Sequence, residues 1–132
     1  NQAIMNSKYG WRRDPMTGRR TFHKGEDYKA KRGYKTTGQV IRAMGPGRLH
    51  CKSGGGFGRW IRIEHGDYLE SRYAHMSRRA KGICPKGDAI KKVERGDIIG
   101  YVGRTGRSTG PHLHMELLCK NIPFCHSVST RN

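Results

Sequence analysis

The chain holds seven histidines, His23, His50, His65, His75, His112, His114 and His126, and three of their settings have the makings of a site. His23-Lys24-Gly25-Glu26-Asp27 is an H-x-x-x-D pair. Imidazole and carboxylate are both good zinc ligands, and the glycine between them lets the backbone turn so that both converge. His112-Leu113-His114 is an H-x-H on a strand-like run. Residues i and i+2 of a strand point to one face, so both rings address one site. His75 ends another strand-like stretch and can deliver a third imidazole. His65, between Glu64 and Gly66, reads as a solvated turn residue, and His50 and His126 read as surface.

The chemistry that fits is hydrolysis. Three protein ligands leave zinc one open position, where a water becomes acidic enough to attack near neutral pH; a structural site is normally closed by a fourth protein ligand. His23, Asp27 and one histidine of the H-x-H would hold one zinc per chain. Spacing alone leaves open whether that histidine is His112 or His114. The other one, with His75, is then available to take a proton from water, donate to a developing oxyanion or protonate a leaving amine.

The elements that position these groups are short. Gly and Pro punctuate the chain too often for long helices, and the expected class is all-β, mainly antiparallel: a small two-sheet domain with an open groove over the zinc site. Trp60 to His65 alternates apolar and polar residues. Leu69 to His75 follows after Gly66-Asp67, which reads as a hairpin. Gln39 to Met44, Asp97 to Val102 and Leu113 to Leu118 are further strands. Ser53-Gly54-Gly55-Gly56 reads as a flexible tip and Gly103 to Gly110 as a tight loop aimed at the H-x-H. Ser7 to Arg20 reads as an irregular lead-in and the tail after Cys125 as loose.

Length and composition bound the rest. At 132 residues the chain suits one domain, with its core at about 7–118 and a C-terminal tail over 119–132. Leu, Ile, Val and Phe total 21 residues against a net charge of +17, a balance that leans towards disorder; the alternating runs and the 19 glycines overrule it. The charge implies anionic surroundings. The basic residues are dispersed, with no basic helix and no aromatic stacking motif, so no specific nucleic-acid partner is expected. No apolar run approaches the roughly 18 residues of a membrane span. The chain opens on Asn1-Gln2-Ala3 and is read as a piece of a longer product, without its own address label. Cys51, Cys84, Cys119 and Cys125 form no CxxC pair and permit two disulfides, which fit an oxidising compartment. Cys119–Cys125 encloses a short loop with Pro123 and is the favoured pair, leaving Cys51–Cys84.

At these residues the chain resembles the lysostaphin/LytM-type zinc peptidases, which cleave peptide cross-links of bacterial peptidoglycan. The likeness runs in order over Ser7 to Ala30 with the H-x-x-x-D, Gly38 to Leu49, Phe57 to Asp67, Ser71 to Ser77 (SRYAHMS), and Arg95 to Leu117 (RGDIIGYVGRTGRSTGPHLHMEL). It implies zinc on His23, Asp27 and His114, and catalytic roles for His75 and His112. It implies a peptidoglycan peptide as substrate, a D-Ala–diaminopimelate cross-link ahead of an oligoglycine bridge. An extracytoplasmic location, periplasmic, wall-associated or secreted, among anionic envelope polymers goes with it. Two links are longer than usual, Asp27 to Gly38 with its basic stretch Lys29 to Lys35, and Ser77 to Gly96; both are expected to flank the groove. Met115 stands where an aromatic is common. Some relatives have lost ligands and act as non-catalytic wall-binding or activator modules; all five groups are kept here. A basic nucleic-acid-binding β domain is the remaining alternative.

Overall fold

The structure is a computed structural model; it describes residues 10–14 and 16–120 fully, and 3–7 and 127–128 by strand pairing. Every strand pairing is antiparallel and the described residues contain no helix, as the sequence predicts. The two sheets are very unequal: ten strands in one, two in the other.

The strands are β1 (Ala3–Ser7), β2 (Gly10–Arg13), β3 (Arg20–His23), β4 (Glu26–Ala30), β5 (Val40–Arg42), β6 (Gly47–Ser53), β7 (Arg59–Glu64), β8 (Leu69–Arg79), β9 (Lys91–Val93), β10 (Ile98–Val102), β11 (Leu113–Cys119) and β12 (Ser127–Val128). The large sheet runs β1-β4-β11-β8-β7-β6-β9, with β10 against β8 and β5, and β12 against β11. Ser127 and Val128 thus pair with β11, whereas the sequence reading has the tail loose throughout.

Period-2 burial explains the core. In β7, Ile61 and Ile63 are fully buried between partly exposed Trp60, Arg62 and Glu64. They pack with Leu49, Tyr73, Met76, Val93 and Ile99, each large side chain contributing about 1.5–3 kcal/mol by burial. Cys51 and Cys84 pack against this cluster and are disulfide-bonded to each other, as expected. Cys119 is not free, and Cys125 lies outside the described residues. The buried acid Glu70 is held by Arg72 at 2.6 Å, with Arg62 and Lys120 at 3.4 Å. Paired this way, a charge-rich chain can fold around a small apolar core.

Part of the lead-in is regular, where the sequence reading has it irregular. β2 and β3 form a hairpin with Trp11 opposite Phe22. Its turn is capped by Asp14, whose Oδ1 accepts from the Met16 and Thr17 amides at 2.8 and 3.3 Å, a local side-chain cap of the kind Asp supplies in turns.

The β8 strand carries the fold's main irregularity. Leu69 to Ala74 pair with β11, and Met76 to Arg79 pair with β10. His75 sits between the two sets of partners with φ +62°, the one non-glycine residue among the described residues with positive φ. Such a backbone costs on the order of 1–3 kcal/mol and persists only where neighbours enforce it.

Candidate metal and catalytic site

Register brings the ligands together. β11 lies between β4 and β8, so His114 is the cross-strand partner of both Asp27 and Ala74. His23 ends β3 just before β4 begins. The result is a triangle of donor atoms: His23 Nε2 to His114 Nδ1 is 3.1 Å, His114 Nδ1 to Asp27 Oδ1 is 2.8 Å, and His23 Nε2 to Asp27 Oδ1 is 3.2 Å. All three side chains are buried. Tetrahedral zinc at about 2.0–2.1 Å from its ligands holds them about 3.3 Å apart, so two nitrogens and one oxygen in this triangle fit the ion.

Gly25 serves this site by close approach. A Cβ there would lie 2.3 Å from the Met115 carbonyl oxygen and 2.9 Å from the His114 ring. Its left-handed freedom is not used; its lack of a side chain is what lets the link between β3 and β4 lie against β11.

The electrostatics match a cation. Burial disfavours charge on Asp27, but hydrogen bonds from His114 and His23 outweigh it and hold the carboxyl well below the usual range. Burial also opposes charge on His114, yet Asp27 and Glu116 raise its pKa to about 9. Glu116 Oε2 accepts from His114 Nε2 at 2.9 Å, which leaves the Nδ1 lone pair for the triangle; a metal ion at Nδ1 takes the place of that proton. Arg12 donates to the outer Asp27 oxygen, Oδ2, at 3.3 Å.

His75 and His112 stand beside the triangle, their ring centroids 4.7 Å apart. His75 Nδ1 donates to the Thr105 carbonyl at 2.6 Å. His112 Nδ1 donates to the Gly110 carbonyl at 2.9 Å, and its Nε2 is 3.7 Å from Asp27 Oδ1. In both rings Nε2 is thereby left as a proton acceptor. Burial is the main reason that the His75 pKa falls to about 4, with His112 and His114 nearby adding to it, so His75 is neutral at pH 7. The structure therefore brings together all five residues singled out in the sequence.

Two glycine-rich loops wall the groove, and they are fastened to each other. The Arg107 amide donates to the Gly56 carbonyl at 2.7 Å, and the Arg59 amide to Thr105 Oγ1 at 3.1 Å. A Cβ on Gly58 or Gly106 would sit about 2.3–2.5 Å from the opposing backbone. The glycine tip is thus anchored to the second loop at Gly56, while Gly54 and Gly55 stay exposed. Its neighbour Phe57 accepts from the His75 amide at 2.8 Å, which helps hold the strained residue. The third wall is the β2–β3 hairpin, through Arg12, Arg13 and Met16, and the groove encloses about 540 Å³. A cavity of similar size between Arg48, Glu64, Lys92 and Lys120 holds none of these histidines; the converging donors, not volume, mark the site.

Sequence reasoning missed Glu116, Thr105, Arg12 and the Asp14–Arg107 pair. Glu116 was within reach of the period-2 rule, two residues beyond His114 on the same face. None of Lys29 to Lys35 or Arg78 to Gly96 is among the residues that line the groove. His65 is no solvated turn residue. Its Nδ1 donates to the Pro46 carbonyl at 2.7 Å and its Nε2 accepts from Ser71 Oγ at 2.7 Å; Ser71 in turn meets the Tyr73 hydroxyl at 2.8 Å. His50 is paired with Glu64 at 2.7 Å, and His126 lies outside the described residues.

Residues 21–124 match Peptidase family M23. The DD-carboxypeptidase/endopeptidase Mpg of Neisseria meningitidis serogroup B is 37% identical over 120 residues, covering 90% of this chain and 25% of Mpg. Among solved structures, the catalytic domain of a mutant of EnpA, a prophage-encoded M23 protein from Enterococcus faecalis, superposes with a TM-score of 0.72 at 35% identity. That match covers 96% of this chain and 88% of that one. A zinc containing peptidase from Vibrio cholerae gives 0.68 at 30% identity, covering 95% and 35%. The chain spans about a quarter of the length of the curated relatives it matches.

Proposed function

The chain belongs to peptidase family M23, and on that premise we propose that it is a zinc-dependent endopeptidase of bacterial peptidoglycan, cutting D-Ala–diaminopimelate cross-links. The observation that carries this reading is the buried donor triangle of His23, Asp27 and His114 with the acceptor nitrogens of His75 and His112 beside it. The DD activity in the name of the Neisseria relative is in keeping with it, since a D-Ala–diaminopimelate cross-link joins two D centres.

His23 Nε2, Asp27 Oδ1 and His114 Nδ1 would hold the ion. Zinc bound there supplies Lewis acidity, polarising a carbonyl and acidifying a water. The residues supply the proton path. Water adds its oxygen to the scissile carbonyl carbon, and its proton passes to an imidazole Nε2, from His75 or His112. The second imidazole hydrogen-bonds the developing oxyanion when it carries a proton. The C–N bond breaks as the leaving amine takes the proton back. Thr105 and Gly110 fix both rings through Nδ1, so the productive tautomer is set before substrate arrives.

The disulfide between Cys51 and Cys84 supports an oxidising, extracytoplasmic setting. The +17 charge supports residence among anionic envelope polymers. No helix among the described residues is long and apolar enough to cross a membrane.

Digestion of purified sacculi by the zinc-loaded protein, followed by mass spectrometry of the released muropeptides, tests the proposal. Cross-linked dimers should fall and monomers ending in D-Ala should rise. Sacculi of the diaminopimelate type left intact by fully zinc-loaded protein would refute it.

A further inference from the structure

The charge balance of the groove goes beyond hydrolysis. Three arginines line it, Arg12, Arg13 and Arg107. The acid at its floor, Asp27, is engaged by His23 and His114. Glu116, behind the floor, is engaged by His114 at 2.9 Å, and Asp14 is committed to Arg107, whose Nη2 lies 3.1 and 3.0 Å from its two carboxylate oxygens. Among the residues that line the groove, three guanidiniums stand against one carboxylate, Asp27, a balance that favours an anionic ligand.

The three arginines are not equivalent. Arg12 is bonded to Asp27. Arg13 is exposed and makes one long contact, 3.5 Å, to the Gly18 carbonyl. Arg107 differs from both. Its backbone is fixed by the Gly56 carbonyl and its guanidinium by Asp14, yet its side chain is 49% exposed. Among the described residues, the fork's Nη1 and Nε have no acceptor. A guanidinium held on one edge and open on another is preorganised to take a planar carboxylate.

The scissile bond of the proposed substrate has such a group beside it. In a D-Ala–diaminopimelate cross-link, the carbon bearing the leaving nitrogen also bears a carboxylate. In an oligoglycine bridge the corresponding group is a neutral amide. We infer that Arg107, braced by Asp14, reads a free carboxylate next to the scissile bond, so that the groove selects anionic cross-links over amidated or glycine-only ones. The inference rests on the reading of this groove as an endopeptidase site.

Two soluble cross-linked peptide dimers, identical except that this carboxylate is free in one and a carboxamide in the other, test it on the zinc-loaded chain. The free acid should be cleaved with a kcat/KM about tenfold higher or more. Arg107→Gln should remove most of that preference. Arg107→Lys should keep part of it, because the charge stays and the fork is lost. Lys81→Gln removes an exposed charge outside the groove and should leave the ratio at its wild-type value. Thermal melts report whether each variant folds; if Arg107→Gln does not, a lowered ratio in Arg107→Lys carries the test. Calorimetric binding of both peptides to His112→Ala separates recognition from cleavage. Equal cleavage and equal affinity for the two peptides would overturn the inference and leave the endopeptidase reading standing. Preferential binding of the free acid with no cleavage by the wild type would do the reverse. Binding of neither peptide would remove both.

Discussion

Glu116 lies two residues beyond His114 on the same face of β11, and its Oε2 is 2.9 Å from His114 Nε2. That contact fixes which ring nitrogen of His114 turns to His23 and Asp27. A carboxylate behind a histidine ligand also makes the imidazole a better donor. Glu116→Gln should therefore weaken zinc binding by about 10–100-fold while the fold survives. Competition with a chromophoric chelator measures it directly, and an unchanged affinity would show that Glu116 serves only packing.

The five groups divide into two classes that mutation should separate. His114→Ala removes one corner of the donor triangle and should cost most of the bound zinc. His75→Ala and His112→Ala should keep the zinc and lose hydrolysis by about 100-fold or more. Elemental analysis and a muropeptide assay on the same preparations decide the matter. Full zinc occupancy in His114→Ala, or wild-type cleavage by either of the other variants, contradicts the division.

How much of this was legible in the sequence follows from the range of the forces involved. The ligands could be read because each motif is local: four residues separate His23 from Asp27, and two separate His112 from His114. β7 and the first half of β11 could be read because one face of each is buried, which writes period 2 into the residues; β8 and β10 are buried on both faces over much of their length and were read from their apolar runs and flanking turns. The β2–β3 hairpin escaped because its flanks, Gly10 to Arg13 and Arg20 to His23, carry few apolar side chains; Asp14 and Gly18 were the turn signal that remained. The anchoring of the glycine tip at Gly56 was not legible because its partner, the Thr105–Arg107 backbone, lies about fifty residues away in sequence. His65 was misread because its partners, Pro46 and Ser71, lie 19 and 6 residues away and only the folded β7–β8 hairpin and the turn before β6 bring them to its ring.

Burial lowers the His75 pKa to about 4, against about 6.5 for an unfolded histidine. Between these values the unfolded chain binds more protons at this residue than the folded one. Its contribution to stability is thus complete above about pH 6.5 and lost as pH falls towards 4. The same shift keeps His75 a competent proton acceptor down to about pH 4, so an acid loss of kcat/KM nearer pH 6 should not come from His75. It should come from protons competing with zinc at the ligands, and should move to lower pH when free zinc is raised. A limb that stays near pH 6 at every zinc concentration would mean that a proton-transferring group, and not competition at the ligands, sets it.

The basic stretch Lys29 to Lys35 carries four exposed cations, Lys29, Lys31, Arg32 and Lys35, and none of them lines the groove. They therefore stand apart from the groove's own arginines. A surface of this kind attracts an anionic polymer through screened, non-specific forces that fade beyond a Debye length of about 8 Å at physiological salt. Raising salt should thus release the protein from intact sacculi while changing little in the cleavage of a short, net-neutral cross-linked peptide. Replacing the four residues with Gln should mimic high salt in a co-sedimentation assay and leave zinc content as it was. If the wild type and the neutralised variant pellet equally with sacculi at low salt, these charges serve to keep a small, glycine-rich domain in solution, and adhesion to the envelope must be sought elsewhere on the +17 surface.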